Sequence, residues 1–172
     1  MVALLSSARF NFVAFNLLWL GLVLGREDLL WLTAPLVFAY TGFLLYRKTI
    51  KPWQLIIPAA LGLSIDLVVI ATGLLRFNSP FLIPLWLPLL WLSFSTALAL
   101  SIRFIADSRA LSAIGGALGF PFAYWAGLQL NAVVFSQSLV FVLLFLAAIW
   151  AHALPLITGI TRYYINTRYG TA

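Results

Sequence analysis

Apolar runs fill the chain at residues 10–25, 29–46, 53–75, 81–102, 110–128 and 138–161, and the short stretches between them collect the charges. A helix needs about 20 apolar residues to cross a hydrocarbon layer, within a range of roughly 17–25. Backbone groups that meet no water must bond within their own segment, so each run is expected to be helical. The pattern predicts an all-α membrane protein with six transmembrane helices, forming a single integral membrane domain over residues 1–172. The connections are short, which makes neighbouring helices antiparallel. The segment Leu128–Gln137 is the least defined, because Leu130, Val133, Val134 and Phe135 suit an extension of either neighbour or an interfacial stretch.

Composition agrees with the pattern. Hydrophobic residues make up 64% and charged residues 8%, and the mean hydropathy is +1.08; a soluble domain carries roughly 25% charged residues. A net charge of +6 would suggest nucleic acid in a soluble protein, but here the basic residues stand between apolar runs and report topology, so no nucleic-acid partner is expected. With six spans, one side receives Arg9, Arg47, Lys48, Lys51, Arg103, Arg109, Arg162 and Arg168, and the other receives Arg26 and Arg76. This eight-to-two split predicts that both termini are cytoplasmic. Arg9 before the run 10–25 resembles the start of a signal peptide, but Arg26-Glu27-Asp28 follows it without a small-residue cleavage site, so a retained first helix is expected. Trp31, Tyr46, Trp53, Phe77, Phe81, Tyr163, Tyr164 and Tyr169 flank the runs as an interfacial aromatic belt would.

Ionisable residues inside spans are costly and normally face the bundle interior. Asp66 stands ten residues before Arg76 and His152 ten before Arg162, so each is about 15 Å deep at the helical rise. Asn16 lies at similar depth relative to Arg26. Gly62, Asp66 and Gly73 share a helix face, as do Ala148, His152 and Gly159, and small residues permit close approach. Two readings follow for Asn16, Asp66 and His152: a midplane polar site for a headgroup, a small solute or a proton, or a structural clamp between spans one, three and six. The loop Arg47-Lys48-x-x-Lys51 is a candidate contact for anionic headgroups or an acidic partner, beside its topological role.

Three segment pairs recur in order: 16–20 with 88–92, 38–40 with 122–124, and 72–77 with 158–163. Three helices per half would make a 3+3 inverted repeat, an arrangement used by transporters. Pro80, Pro84 and Pro88 at the start of span four, and Gly115, Gly116, Gly119 and Pro121 in span five, predict close packing with kinks. The absence of cysteine excludes disulfides, thiolate catalysis and cysteine-bound metals. One His and four acids supply little for a metal cluster, and no metal or cofactor is expected. The chain carries no phosphate loop, dinucleotide fingerprint, H-E-x-x-H or G-x-S-x-G. A non-enzymatic protein is favoured, with acid–base chemistry by Asp66 and His152 left open.

The ordered set Asn11-Phe12-x-x-Phe15-Asn16-x-x-Trp19, Leu61-Gly62-Leu63-x-x-Asp66, Gly73-Leu74-Leu75-Arg76-Phe77, Pro84-Leu85-Trp86-x-x-x-x-Trp91 and Gly115-Gly116-x-x-Gly119-x-Pro121-x-x-Tyr124-x-x-Gly127 resembles a domain-of-unknown-function family of small bacterial inner-membrane proteins. Members of that family often lie in gene clusters with cyclopropane-fatty-acid-synthase-like methyltransferases and flavin amine-oxidase-like proteins. The resemblance implies an inner-membrane location and a role in fatty-acid modification or envelope stress, through membrane lipids or a recruited lipid-modifying enzyme, and it implies no catalytic residue. Leu61-Gly62-Leu63-Ser64-Ile65-Asp66 is also similar to a short pattern of the rod-shape membrane protein, and the overall size resembles six-helix substrate-binding subunits of vitamin transporters. The alternatives are therefore a small transporter or solute-binding subunit with an Asp66–His152 midplane, and a lipid-acting membrane enzyme.

Overall fold

The computed structural model describes residues 2–170 and runs α1 (Val2–Leu5), α2 (Ala8–Gly25), α3 (Leu30–Tyr46), α4 (Pro52–Ala71), β1 (Leu75–Phe77), α5 (Trp86–Ala99), α6 (Arg103–Asp107), α7 (Arg109–Gln129), β2 (Val133–Phe135) and α8 (Leu139–Tyr169). Three serines fix helix starts. The hydroxyls of Ser7, Ser108 and Ser138 accept hydrogen bonds from the N–H groups of Phe10, Leu111 and Phe141, which open α2, α7 and α8. At the start of α4, Pro52 takes the first helical position, where its missing donor costs nothing, and the Lys51 N–H donates to Gln54 Oε1 at 2.7 Å.

Four of these helices, α2, α4, α7 and α8, are long and apolar enough to cross a membrane. Their outward faces carry large apolar side chains, including Leu17 (65% exposed), Leu118 (68%) and Leu144 (66%). An apolar surface of that extent requires lipid around it, and the chain is a membrane protein. The helices α3 and α5 are apolar but shorter, at 17 and 14 residues. The short α5 is the axis of the bundle: it packs on α2, α3 and α4, and Trp86, Leu87, Leu89, Trp91 and Leu98 are among its buried residues. Beside this group, α7 and α8 form a closely packed pair, and α8 also packs on α4.

The sixth run continues as helix to Tyr169, the fourth ends as a helix at Ala99, and the structure departs from the expected runs further between Ala71 and Trp86 and at 128–137. The third run ends as a helix at Ala71; Gly73 adopts a φ of 72° and turns the chain into β1. The fourth run begins as a helix only at Trp86, because Pro80 and Pro84 withhold backbone donors from the first turns. The ambiguous stretch 128–137 extends neither neighbour. Asn131, with a φ of 56°, reverses it, and β2 pairs antiparallel with β1 in the register Leu75↔Phe135, Arg76↔Val134 and Phe77↔Val133. The ladder joins two helix–strand–helix units, α4–β1–α5 and α7–β2–α8. Of the matched segment pairs, 72–77 leaves the helix, whereas 158–163 continues within α8.

The ladder end of the bundle is tied by polar contacts among loops. Arg26 Nη1 donates to Asn131 O at 2.8 Å, the Asn78 N–H donates to Ala132 O at 2.9 Å, and Ser79 Oγ donates to Glu27 Oε1 at 2.7 Å. The opposite end carries Lys51 and Arg168 among its basic residues: Lys51 Nζ lies 4.6 Å from the Tyr169 ring centre, and Arg168 stands 5.5 Å from that of Trp53.

Candidate functional site

Gly62 and Asp66 stand one turn apart on α4 and face the same way. An added Cβ at Gly62 would sit 2.2 Å from the Trp91 ring, so the indole of α5 lies directly on the backbone of α4. In that position Trp91 Nε1 donates to Asp66 Oδ2 at 2.7 Å. From the other side the Tyr124 hydroxyl of α7 donates to Asp66 Oδ1. Asp66 is 3% exposed, and its two oxygens are each held by a donor from a different helix. The carboxylate thus joins α4, α5 and α7.

Aromatic rings surround this joint. Trp91 stacks against Trp150 of α8 and Phe120 of α7, with centroids 5.4 and 5.7 Å away. Phe120 lies parallel to Trp150 at 3.8 Å, and Phe94 meets Trp91 edge-on at 5.5 Å. The spacing Gly116, Phe120, Tyr124 puts glycine, ring and hydroxyl on one stripe of α7. At Gly116 an added Cβ would come within 2.0 Å of the Trp150 carbonyl oxygen, so this glycine sets how closely α7 and α8 approach.

A cavity of about 340 Å³ runs along this assembly. Residues of α2 (Phe15, Asn16, Trp19) form one wall, and residues of α7 (Gly119, Phe122, Ala123) form the other. Trp86, Leu90, Trp91 and Phe94 of α5 also line it. It reaches from Phe77 and Val133 of the ladder to Ile102 at the start of α6 and Ile105 within it. Along that length the lining is aromatic or aliphatic except for Asp66, Tyr124 and Asn16.

The residues expected to form a midplane site are only partly brought together. Asp66 and Asn16 line the same cavity. Asn16, however, is exposed and donates through Nδ2 to Phe12 O of its own helix at 2.8 Å. His152 points away from both. The buried stripe of α8 is Val142, Leu146, Trp150, Leu154 and Ile157; His152 is two residues from Trp150 and from Leu154, hence on the far side of a helix with 3.6 residues per turn. It is exposed, and its Nδ1 lies 2.8 Å from Ala148 O. The joint runs through α4, α5 and α7, whereas the expected clamp linked the first, third and sixth apolar runs. Of the loop candidates, Arg47 and Lys48 are exposed, while Lys51 lines a second cavity at the basic end.

Trp91 and Tyr124 escaped the sequence reading as partners of Asp66. So did Asn11, which is fully buried: its Nδ2 donates to Thr96 Oγ1 at 2.9 Å and to Tyr40 OH at 3.3 Å, and its Oδ1 accepts from Ser101 Oγ at 2.7 Å. Its signal was position on the stripe Asn11, Phe15, Leu18, Leu22, one face of α2 at spacings of three and four residues. Depth alone favoured Asn16.

A family described as a protein of unknown function (DUF2878) matches residues 8–156 of the chain. Neither a curated protein nor a solved structure matches it.

Proposed function

We propose, for a chain that belongs to the DUF2878 family of proteins of unknown function, that it is a non-enzymatic inner-membrane protein that holds a membrane lipid by its apolar chain and so supports lipid modification. The observation that carries this reading is the cavity between α2 and α7: about 340 Å³, apolar along its length, with Asp66, Tyr124 and Asn16 as its polar lining. Away from these three groups the lining offers nothing to replace the water of an ion or a polar solute, and the two oxygens of Asp66 are already taken by Trp91 and Tyr124. An alkyl chain needs only van der Waals contact, and the aromatic walls supply it. Asn16, with a second N–H and its Oδ1, is placed to bond an ester, hydroxyl or carboxyl group part-way along the lipid, and the Tyr124 oxygen can accept from a hydroxyl. In this reading the protein presents the lipid to a separate modifying enzyme in the same membrane.

The reading includes six spans with both termini cytoplasmic. The 17 residues of α3 and 14 of α5 reach about 26 and 21 Å at the helical rise. The short α5 is tolerable because its neighbours, not lipid, cover most of it. The eight-to-two basic split sets the orientation. For an internal repeat, the helix–strand–helix units around the ladder are a better-founded pair than the three-plus-three scheme, whose third segment pair differs in backbone. A solute-transport reading built on Asp66 and His152 has less to rest on, since His152 stands exposed on the outer side of α8.

Gly119 lines the cavity, and a Cβ added there meets nothing within 4 Å. Gly119→Leu should therefore fill the groove without unfolding the bundle. Mass spectrometry of lipids retained by the purified protein should show a several-fold loss in this variant at an unchanged thermal midpoint. Equal lipid content in both proteins would refute the groove. An unchanged lipid profile in a deletion strain, with no enzyme recovered in a pull-down, would refute the supporting role.

A further inference from the structure

The basic end of the bundle contains a second cavity, about 410 Å³, between the start of α4, α6 and the last turns of α8. Lys51, Arg103 and Arg162 line it, against the single carboxylate of Asp107. Arg103 and Asp107 form a one-turn pair at 3.6 Å with both side chains largely exposed, an interaction worth little in water. Arg162 is positioned by one bond, Nη1 to Asp107 O at 2.9 Å, and a guanidinium has four further donors. Gln54 spends its oxygen on the Lys51 N–H at 2.7 Å, which leaves its amide group as a donor. Asn166 adds another amide to the lining. The cavity thus collects cations and N–H donors from three elements that are far apart in sequence, with one acid among them.

Its position gives the ligand class. The 31 residues of α8 extend about 46 Å at the helical rise, well beyond a hydrocarbon core of about 30 Å. The end that carries Arg162 and Asn166 therefore lies at headgroup level when the helix crosses the membrane. An anion with several oxygens, able to take a guanidinium fork and an ammonium together, matches this donor set. We propose that this cavity binds a phosphate group, presented as a phosphomonoester by a lipid headgroup or by a soluble compound.

Native mass spectrometry of the full-length protein in detergent tests this with dioctanoyl phosphatidic acid and dioctanoyl phosphatidylcholine at equal concentration. The phosphomonoester should be retained about tenfold more, and Lys51→Gln and Arg162→Gln should each reduce its retention about tenfold, the loss of one hydrogen bond to a charged group. Arg9→Gln and Arg109→Gln, which remove charge at the same end but outside the cavity, should leave retention unchanged. Should Arg162→Gln fail to fold because it frees α6, Lys51→Gln decides alone, since the contact it breaks, the ammonium over the half-exposed Tyr169 ring, lies at the surface. Inorganic phosphate that displaces the phosphatidic acid at millimolar concentration assigns the site to soluble phosphates; resistance to displacement assigns it to the lipid. Equal retention of the two lipids, or equal losses in the Arg9→Gln and Lys51→Gln variants, would overturn the proposal.

Discussion

At the residue scale, Asp66 holds α4 to α5 and α7 by accepting from the Trp91 indole and the Tyr124 hydroxyl. A lone acid in an apolar run signals an inward-facing group, and it is 3% exposed. Its partners carried no comparable signal, because Trp91 and Tyr124 are two aromatics in a chain that is 16% aromatic. Nothing in their spacing separates a hydrogen-bonding ring from an interfacial anchor. Asp66→Leu would leave Trp91 Nε1 and the Tyr124 hydroxyl without an acceptor, each at a cost of about 1–3 kcal/mol. Asp66→Asn keeps one acceptor oxygen and should cost less. Thermal unfolding in detergent should rank wild type above Asp66→Asn and Asp66→Leu lowest; equal midpoints for the two variants would refute the two-donor joint. Lipid content then separates the roles: an Asn variant that folds but retains less lipid marks a binding group, and one that fails to fold marks a clamp.

At the element scale, the apolar runs located the helices well, since each run had to close its own backbone bonds. The runs misjudged the stretches after Ala71 and before Trp86, and left 128–137 open, for one reason. Leu75–Phe77 and Val133–Phe135 become strands only by pairing with each other, and a three-residue partner that distant in sequence leaves no periodic trace. Glycine spacing was legible as close packing without showing which glycines touch a neighbour. Gly116→Ala would press a methyl group into the Trp150 carbonyl, and Gly62→Ala would press one into the Trp91 ring. Each should lower stability by about 1–3 kcal/mol, as overpacking does. Gly119→Ala meets no atom within 4 Å and should be neutral or stabilising by up to about 1 kcal/mol. Thermal midpoints of the three variants check this order; a destabilised Gly119→Ala beside a tolerated Gly116→Ala would contradict the packing described.

At the scale of the whole molecule, the charge pattern and the bundle make one statement that direct labelling can test. The chain has no cysteine, so a single introduced thiol is an unambiguous reporter. In the six-span topology proposed above, Gln137→Cys at the ladder end should react with a membrane-impermeant maleimide on intact cells. Arg47→Cys should react only after the membrane is opened. The reverse pattern, or equal labelling of both, would reject that topology. What the whole-chain pattern could not reveal was the layout of the groove. It depends on which faces of α2 and α7 flank α5, a matter of packing between distant segments rather than of hydropathy along one.

The β1–β2 ladder has a consequence for how such a protein is made. Its strands are delivered at different times: Phe77 ends β1 and Val133 begins β2, a separation of 133 − 77 = 56 residues. At a synthesis rate of roughly 5–20 residues per second, the first strand waits about 3–11 s for its partner. During that interval α5, α6 and α7 are made, while the edge of β1 presents unpaired N–H and C=O groups. β2 must arrive in register to close it, so the ladder forms late in the assembly of the chain. Damage to β2 would then appear first as slow or failed maturation in the membrane, before any loss of stability in the finished protein.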